Sequence, residues 1–126
     1  MNALRVLIVD DSAVMRKIVD RSLRQAGLQL KEVIEAGNGT EALARLEQAR
    51  VDLILTDINM PGMDGLELVR QLQGIENAKG APIVMITTEA GESHVVQALS
   101  SGARGYIKKP FSPDHIKERI IPLLQG

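Results

Sequence analysis

Three short runs limit what this chain can fold into: VLIV at residues 6–9, LILT at 53–56 and IVMI at 83–86. The first is uninterrupted and β-branched and does not alternate polar with apolar. Both faces of such a strand must be covered, as in a parallel sheet. The other two read as buried strands in the same way. Each run ends on polar residues, and each is followed by apolar positions at helical spacing. After the first, Asp10-Asp11-Ser12 leads to Val14, Met15, Ile18, Val19, Ser22 and Leu23. Ser12 is suited to cap that helix and Gly27 to stop it.

Weaker segments complete the pattern. Residues 30–35 read as a second strand, more polar and so expected at the periphery. Gly37-Asn38-Gly39-Thr40 forms a turn and cap before a helix marked by Ala42, Leu43 and Leu46. Asp57 closes the third strand, and a helix is predicted over 65–72. Residues 74–80 read as a polar loop, and Pro82 opens the fourth strand. Val95, Val96 and Leu99 mark a helix that closes near Gly102; residues 105–107 form a short fifth strand. Ser112 and Pro113 begin the last helix, with Ile116, Ile120, Leu123 and Leu124 inside. Pro122 should kink or fray its end. Five βα units in succession imply an α/β fold: a parallel five-stranded sheet between two helical layers, with right-handed crossovers. The 126 residues are expected to form one domain, residues 1–126.

Composition removes several function classes. There is no cysteine, which excludes a disulfide framework, a thiolate zinc site and a cysteine nucleophile. The formal net charge is -1, so the chain as a whole has no pull toward nucleic acid or anionic membrane. Tyr106 and Phe111 alone supply the aromatic content, which argues against base stacking. No signal peptide pattern or stretch of transmembrane length is present, so the cytoplasm is the expected location.

The chemistry gathers at strand ends. Strand one ends at Asp10 and Asp11, strand three at Asp57, strand four at Thr87 and strand five at Lys109. In a parallel sheet these ends share one edge, where open α/β folds bind ligands. Carboxylates in one small site raise each other's pKa, and a divalent cation removes the conflict. Mg²⁺ prefers hard oxygen ligands, and Mn²⁺ could substitute. Asp11 and Asp57 fit as direct ligands, Asp10 as a direct or water-bridged one, and Asn59 could offer its backbone carbonyl. Asp57 can then attack phosphorus as a nucleophile, with Lys109 and the Thr87 hydroxyl on the equatorial oxygens.

Taken one at a time, each of these residues has an ordinary explanation as a cap, a turn or a solvated charge. Together they form a pattern. LIVDDS at 7–12, LTDINMPGMDGLELV at 55–69, MITTEA at 85–90 and GARGYIKKPF at 102–111 resemble the receiver domains of two-component response regulators. The likeness spans essentially the whole chain and is closest to single-domain chemotaxis regulators of the CheY type. It implies a flavodoxin-like fold with strand order 2-1-3-4-5, the order of CheY itself. It implies that Asp57 is the phosphoacceptor for a sensor histidine kinase or a small donor such as acetyl phosphate. Asp10, Asp11 and Asp57 match the metal-binding acids. Thr87 and Lys109 match the switch hydroxyl and the phosphate-contacting lysine, and Tyr106 the switch aromatic. Asn59 and Glu89 match the positions that tune hydrolysis, and a cis Lys109–Pro110 peptide is expected. The surface of the fourth helix, fifth strand and fifth helix is expected to change and bind a target. A flagellar motor switch protein is the first candidate, with a phosphatase as a further partner. No nucleic acid or membrane partner is implied, and a monomer is expected.

Other functions fit less well. An aspartate-based phosphohydrolase would carry an acid two residues after the nucleophile, where Asn59 stands. A nucleotide or flavin binder lacks G-x-x-x-x-G-K-[ST] and G-x-G-x-x-G after any strand. A phosphate-independent interaction domain would not need the acidic cluster. A phosphorelay intermediate or a regulator outside chemotaxis stays open. His94 and His115 are too isolated for metal ligation and are expected on helix surfaces. Residues 60–63, MPGM, read as a turn shaping the pocket rim, with its methionines packing locally.

Overall fold

A computed structural model describes residues 3–88 and 92–125. The strands are β1 (Leu4–Val9), β2 (Leu30–Ala36), β3 (Leu53–Asp57), β4 (Ile83–Thr87) and β5 (Gly105–Lys108). They form one sheet in the order β2-β1-β3-β4-β5, parallel throughout. The helices are α1 (Ala13–Gln25), α2 (Gly39–Leu46), α3 (Gly65–Leu72), α4 (Glu92–Ser101), α5 (Pro113–Arg119) and α6 (Ile121–Gln125).

The non-alternating strands are buried on both faces because each face meets helices. Leu7, Val9, Ile54 and Met85 point into a core shared with α2, α3 and Ala98 of α4. Val6, Ile8, Leu53, Leu55 and Val84 point the other way, against Val19 and Leu23 of α1 and Ile116 and Ile120 near α5. Burying an aliphatic side chain of this size contributes about 1.5–3 kcal/mol. The two cores therefore clamp the central strands from both sides.

Local chemistry explains the helix starts. Ser12, Asn38 and Asp64 each accept a backbone N–H three residues on, from Met15, Glu41 and Glu67. Gly27, at φ 96, carries the chain out of α1 in a conformation that L side chains rarely adopt.

The structure departs from the sequence pattern in four places. β1 begins at Leu4, earlier than the apolar run, because Leu4 N–H bonds Gln29 C=O and extends the ladder. The loop at 74–80 contains a 3₁₀ turn, Glu76–Ala78, whose Asn77 side chain donates to Leu46 O at 2.6 Å. The last helix is two helices, parted at Ile120. Pro122 lies in the first turn of α6, where its missing N–H has no helical acceptor. On α1 the inner face is Val19, Ser22 and Leu23, while Val14 and Ile18 are 70% and 45% exposed. The apolar stripe of α1 is wider than the sheet beneath it can cover.

Candidate functional site

Neighbouring strands bring the acids together. β1 and β3 pair with Val9 opposite Thr56, so Asp10 and Asp57 leave adjacent strands at the same edge. On the far side, β4 and β5 pair with Thr87 opposite Lys108, which sets Lys109 one step past the ladder. The Lys109 N–H bonds Thr87 C=O at 2.7 Å, and the Lys109–Pro110 peptide is cis.

One carboxylate oxygen from each of Asp10, Asp11 and Asp57 lies within 4.8 Å of the others. Lys109 Nζ stands 3.1 Å from Asp10 Oδ2 and 3.4 Å from Asp57 Oδ2, with its side chain only 11% exposed. The remaining oxygens meet backbone donors. Ser12 N–H bonds Asp10 Oδ1 at 2.9 Å, and Asn59 N–H bonds Asp57 Oδ1 at 3.3 Å. Asp10 and Thr87 are buried, Asp57 half-buried and Asp11 exposed.

This arrangement leaves negative charge uncompensated. Among the described residues the Lys109 ammonium contacts two of the three carboxylates, and those two are largely out of water. The Asp57 carboxyl is accordingly held above its ordinary value of 3.8. Burial is the main cause, and the Asp10 charge adds to it; the Lys109 charge acts in the opposite direction. Burial thus outweighs the mutual repulsion that the clustering of acids alone would suggest. Hard carboxylate oxygens, close together and short of positive charge, suit a divalent cation such as Mg²⁺.

α3 crowds the same loop. Gly65 N–H bonds Ile58 O at 2.8 Å, and a Cβ on Gly65 would overlap the backbone carbonyl oxygen of Asp57. Only glycine lets the helix start so close to the acid-bearing strand end. Met60 is buried in the α2–α3 core, and Met63 packs on Gly39.

The other predicted residues are placed as follows. Asn59 is exposed on the loop after β3, with its N–H on Asp57. Tyr106 is half-buried on β5, and the Arg119 guanidinium lies 5.4 Å from its ring centroid. His115 is exposed on α5, and its Nδ1 accepts the Ser112 N–H at 3.1 Å. Glu89 and the side chain of His94 lie outside the described residues.

Two contacts near these residues escaped the sequence reading. Arg119 faces the Tyr106 ring across the β5–α5 connection. Arg16 of α1 reaches back to the Asp10 carbonyl and to Glu35. A signal for the second was present. Arg16-Lys17 puts two cations near the N-terminal end of a helix, where the dipole disfavours them.

Comparison with known proteins bears on the family and the fold. A family model for the response regulator receiver domain matches residues 6–121. The chain is 42% identical over 122 residues to chemotaxis protein CheY1 of Helicobacter pylori, covering 96% of this chain and 97% of that one. The fold is similar to the crystallised chemotaxis protein CheY4 of Vibrio cholerae, with TM-score 0.81 and 38% identity over 93% of this chain and 95% of that one. It is also similar to the receiver domain of sensor histidine kinase PA1611 from Pseudomonas aeruginosa, with TM-score 0.78 and 27% identity over 98% of this chain and 96% of that one. That structure holds a magnesium ion coordinated in its active site cleft.

Proposed function

The chain belongs to the response regulator receiver domain family of two-component signalling, and from that premise we propose that it is a switch operated by phosphorylation of Asp57. The observation that carries this reading is the meeting of Asp10, Asp11 and Asp57 within 4.8 Å, with the Lys109 ammonium against two of them.

One Asp57 carboxylate oxygen forms a bond to phosphorus. The bond to the donor breaks, and its electron pair leaves with the imidazole nitrogen of a kinase phosphohistidine or with acetate from acetyl phosphate. Asp10, Asp11 and Asp57, with the Asn59 carbonyl, would hold Mg²⁺, which offsets charge on the acids and the phosphoryl oxygens. Lys109 moves from its two carboxylates to the incoming phosphoryl group, and the Thr87 hydroxyl donates to another of its oxygens. The mixed anhydride so formed is open to hydrolysis, and Asn59 and Glu89, which match the hydrolysis-tuning positions of the family, set its lifetime.

Movement of Thr87 makes room beside β4 for the Tyr106 ring. The surface of α4, β5 and α5 then changes and binds a target protein. Val96 and Leu99 of α4 are exposed large apolar residues, which supports a docking role for this face. The CheY-type relatives favour a chemotaxis target, such as a flagellar motor switch protein or a phosphatase. The working location is the cytoplasm and the working unit a single monomeric domain.

The test is incubation with Mg²⁺ and acetyl phosphate, followed by intact mass. One phosphoryl group should appear. It should be absent in Asp57→Asn and when the metal is chelated. Undiminished uptake in Asp57→Asn would refute the assignment.

A further inference from the structure

We propose that Arg16 is a positioning residue that aims the metal-binding acids, an inference resting on the reading of Asp10, Asp11 and Asp57 above. The Asp10 carbonyl lies just past the last β1 residue, in a residue 4% exposed. A buried carbonyl at a strand end needs a donor. Arg16 Nη1 supplies one at 2.6 Å. Its Nε donates to Glu35 Oε1 at 2.9 Å, and the second Glu35 oxygen accepts from Lys17 Nζ at 2.6 Å. Glu35 sits on β2 directly opposite Ile8 of β1. The guanidinium fork therefore ties α1, β2 and the end of β1 together, with its side chain only 18% exposed.

The Asp10 carbonyl and the Asp11 N–H belong to one planar peptide. Holding the carbonyl fixes that plane, and the plane sets the direction in which both side chains leave the backbone. The opposite side of Asp10 is fixed by its N–H on Ala36 O at 3.0 Å. Arg16 thus completes a two-sided grip on the residue that positions the acid pair, without touching the carboxylates.

The sign of the effect separates this role from simple electrostatics. Removing a cation near a cation site should tighten Mg²⁺ binding by Coulomb's law alone. Loss of aim should weaken it. Mg²⁺ affinity of the full chain is to be measured by calorimetry with no phosphoryl donor present. Arg16→Ala should raise the Kd about tenfold, the usual scale for removing an outer-shell support. Arg16→Lys keeps the charge but not the fork, and should raise it severalfold; it also serves if the alanine variant does not fold. Arg24→Ala, which breaks the ion pair with Asp20 at the far end of the same helix, should leave the Kd unchanged. A Kd for folded Arg16→Ala or Arg16→Lys equal to or below that of the parent would overturn the proposal. Because the metal alone is read, a failure of Asp57 to take a phosphoryl group would not alter the Mg²⁺ affinities on which the role of Arg16 rests.

Discussion

At β1 and β3 the strand ends carry side chains gripped from several directions; on the outer strand β5, before its end at Lys108, an aromatic ring has open space beside it. Asp10 is held by Ala36 O, Ser12 N–H, Arg16 and Lys109. Tyr106 is half-buried, flanked by Arg119 and by a groove of about 350 Å³ lined by Lys108, Pro110, His115 and Arg119. The first corner has little freedom, as the proposed phosphoryl transfer would require of groups that meet phosphorus with small error. The second is held by weak contacts, as the proposed switch between two positions would require. The proposed chemistry sits at the strand ends and the proposed output on the outer strand β5, and the two differ in how tightly they are built.

The largest effect is expected at Lys109. Lys109→Ala should slow phosphoryl uptake from acetyl phosphate about a hundredfold, since it removes a cation aimed at transition-state charge. Rapid-quench kinetics would check this, and a rate within about threefold of the parent would detach Lys109 from the chemistry.

Next in size is Gly65→Ala. The added methyl meets backbone, which cannot swing aside, so the cost should be about 2–3 kcal/mol in urea unfolding. A cost below about 0.5 kcal/mol would mean that the acid corner yields as easily as a surface loop.

A smaller effect appears in pH dependence without metal. Burial holds the Asp57 carboxyl above 3.8, so the native state binds more protons than the unfolded chain between that value and the raised one. The associated stability is fully present at pH below 3.8 and is lost as pH rises through the native value. Asp57→Asn should remove this loss, and its melting temperature in chelator should exceed that of the parent at neutral pH. Equal melting temperatures at neutral pH would show that Lys109 compensates the site in full.

The smallest effect belongs to the output corner. Arg119→Ala should cost about 0.5–1 kcal/mol through the contact with Tyr106 and leave the rate of phosphorylation unchanged. Urea unfolding and the intact-mass assay measure the two arms. A slowed rate would show that the corners are one unit.

Much of this was legible in the chain. Non-alternating runs such as VLIV and LILT reveal strands buried on both faces, because side-chain period and burial are linked within a few residues. Asp10, Asp57, Thr87 and Lys109 could be referred to one edge because every strand of a parallel sheet points the same way. Motif likeness supplied what periodicity could not, including the strand order. Local pattern misjudged α1, where Val14 and Ile18 follow helical spacing yet face solvent. Which part of an apolar stripe is covered depends on the width of the partner surface, and that surface comes from β1, β2 and α5, the last distant in sequence.

What the chain determined alone, then, is the set of elements, their caps and the residues that could carry chemistry, since all of these follow from neighbours within a turn or a strand. Tertiary structure alone decided that Arg16 spans to the Asp10 carbonyl, that Lys109 divides its charge between two acids 47 residues apart, and that Arg119 faces Tyr106. Those contacts join separate elements. They exist only once hydrophobic burial has fixed where the elements sit.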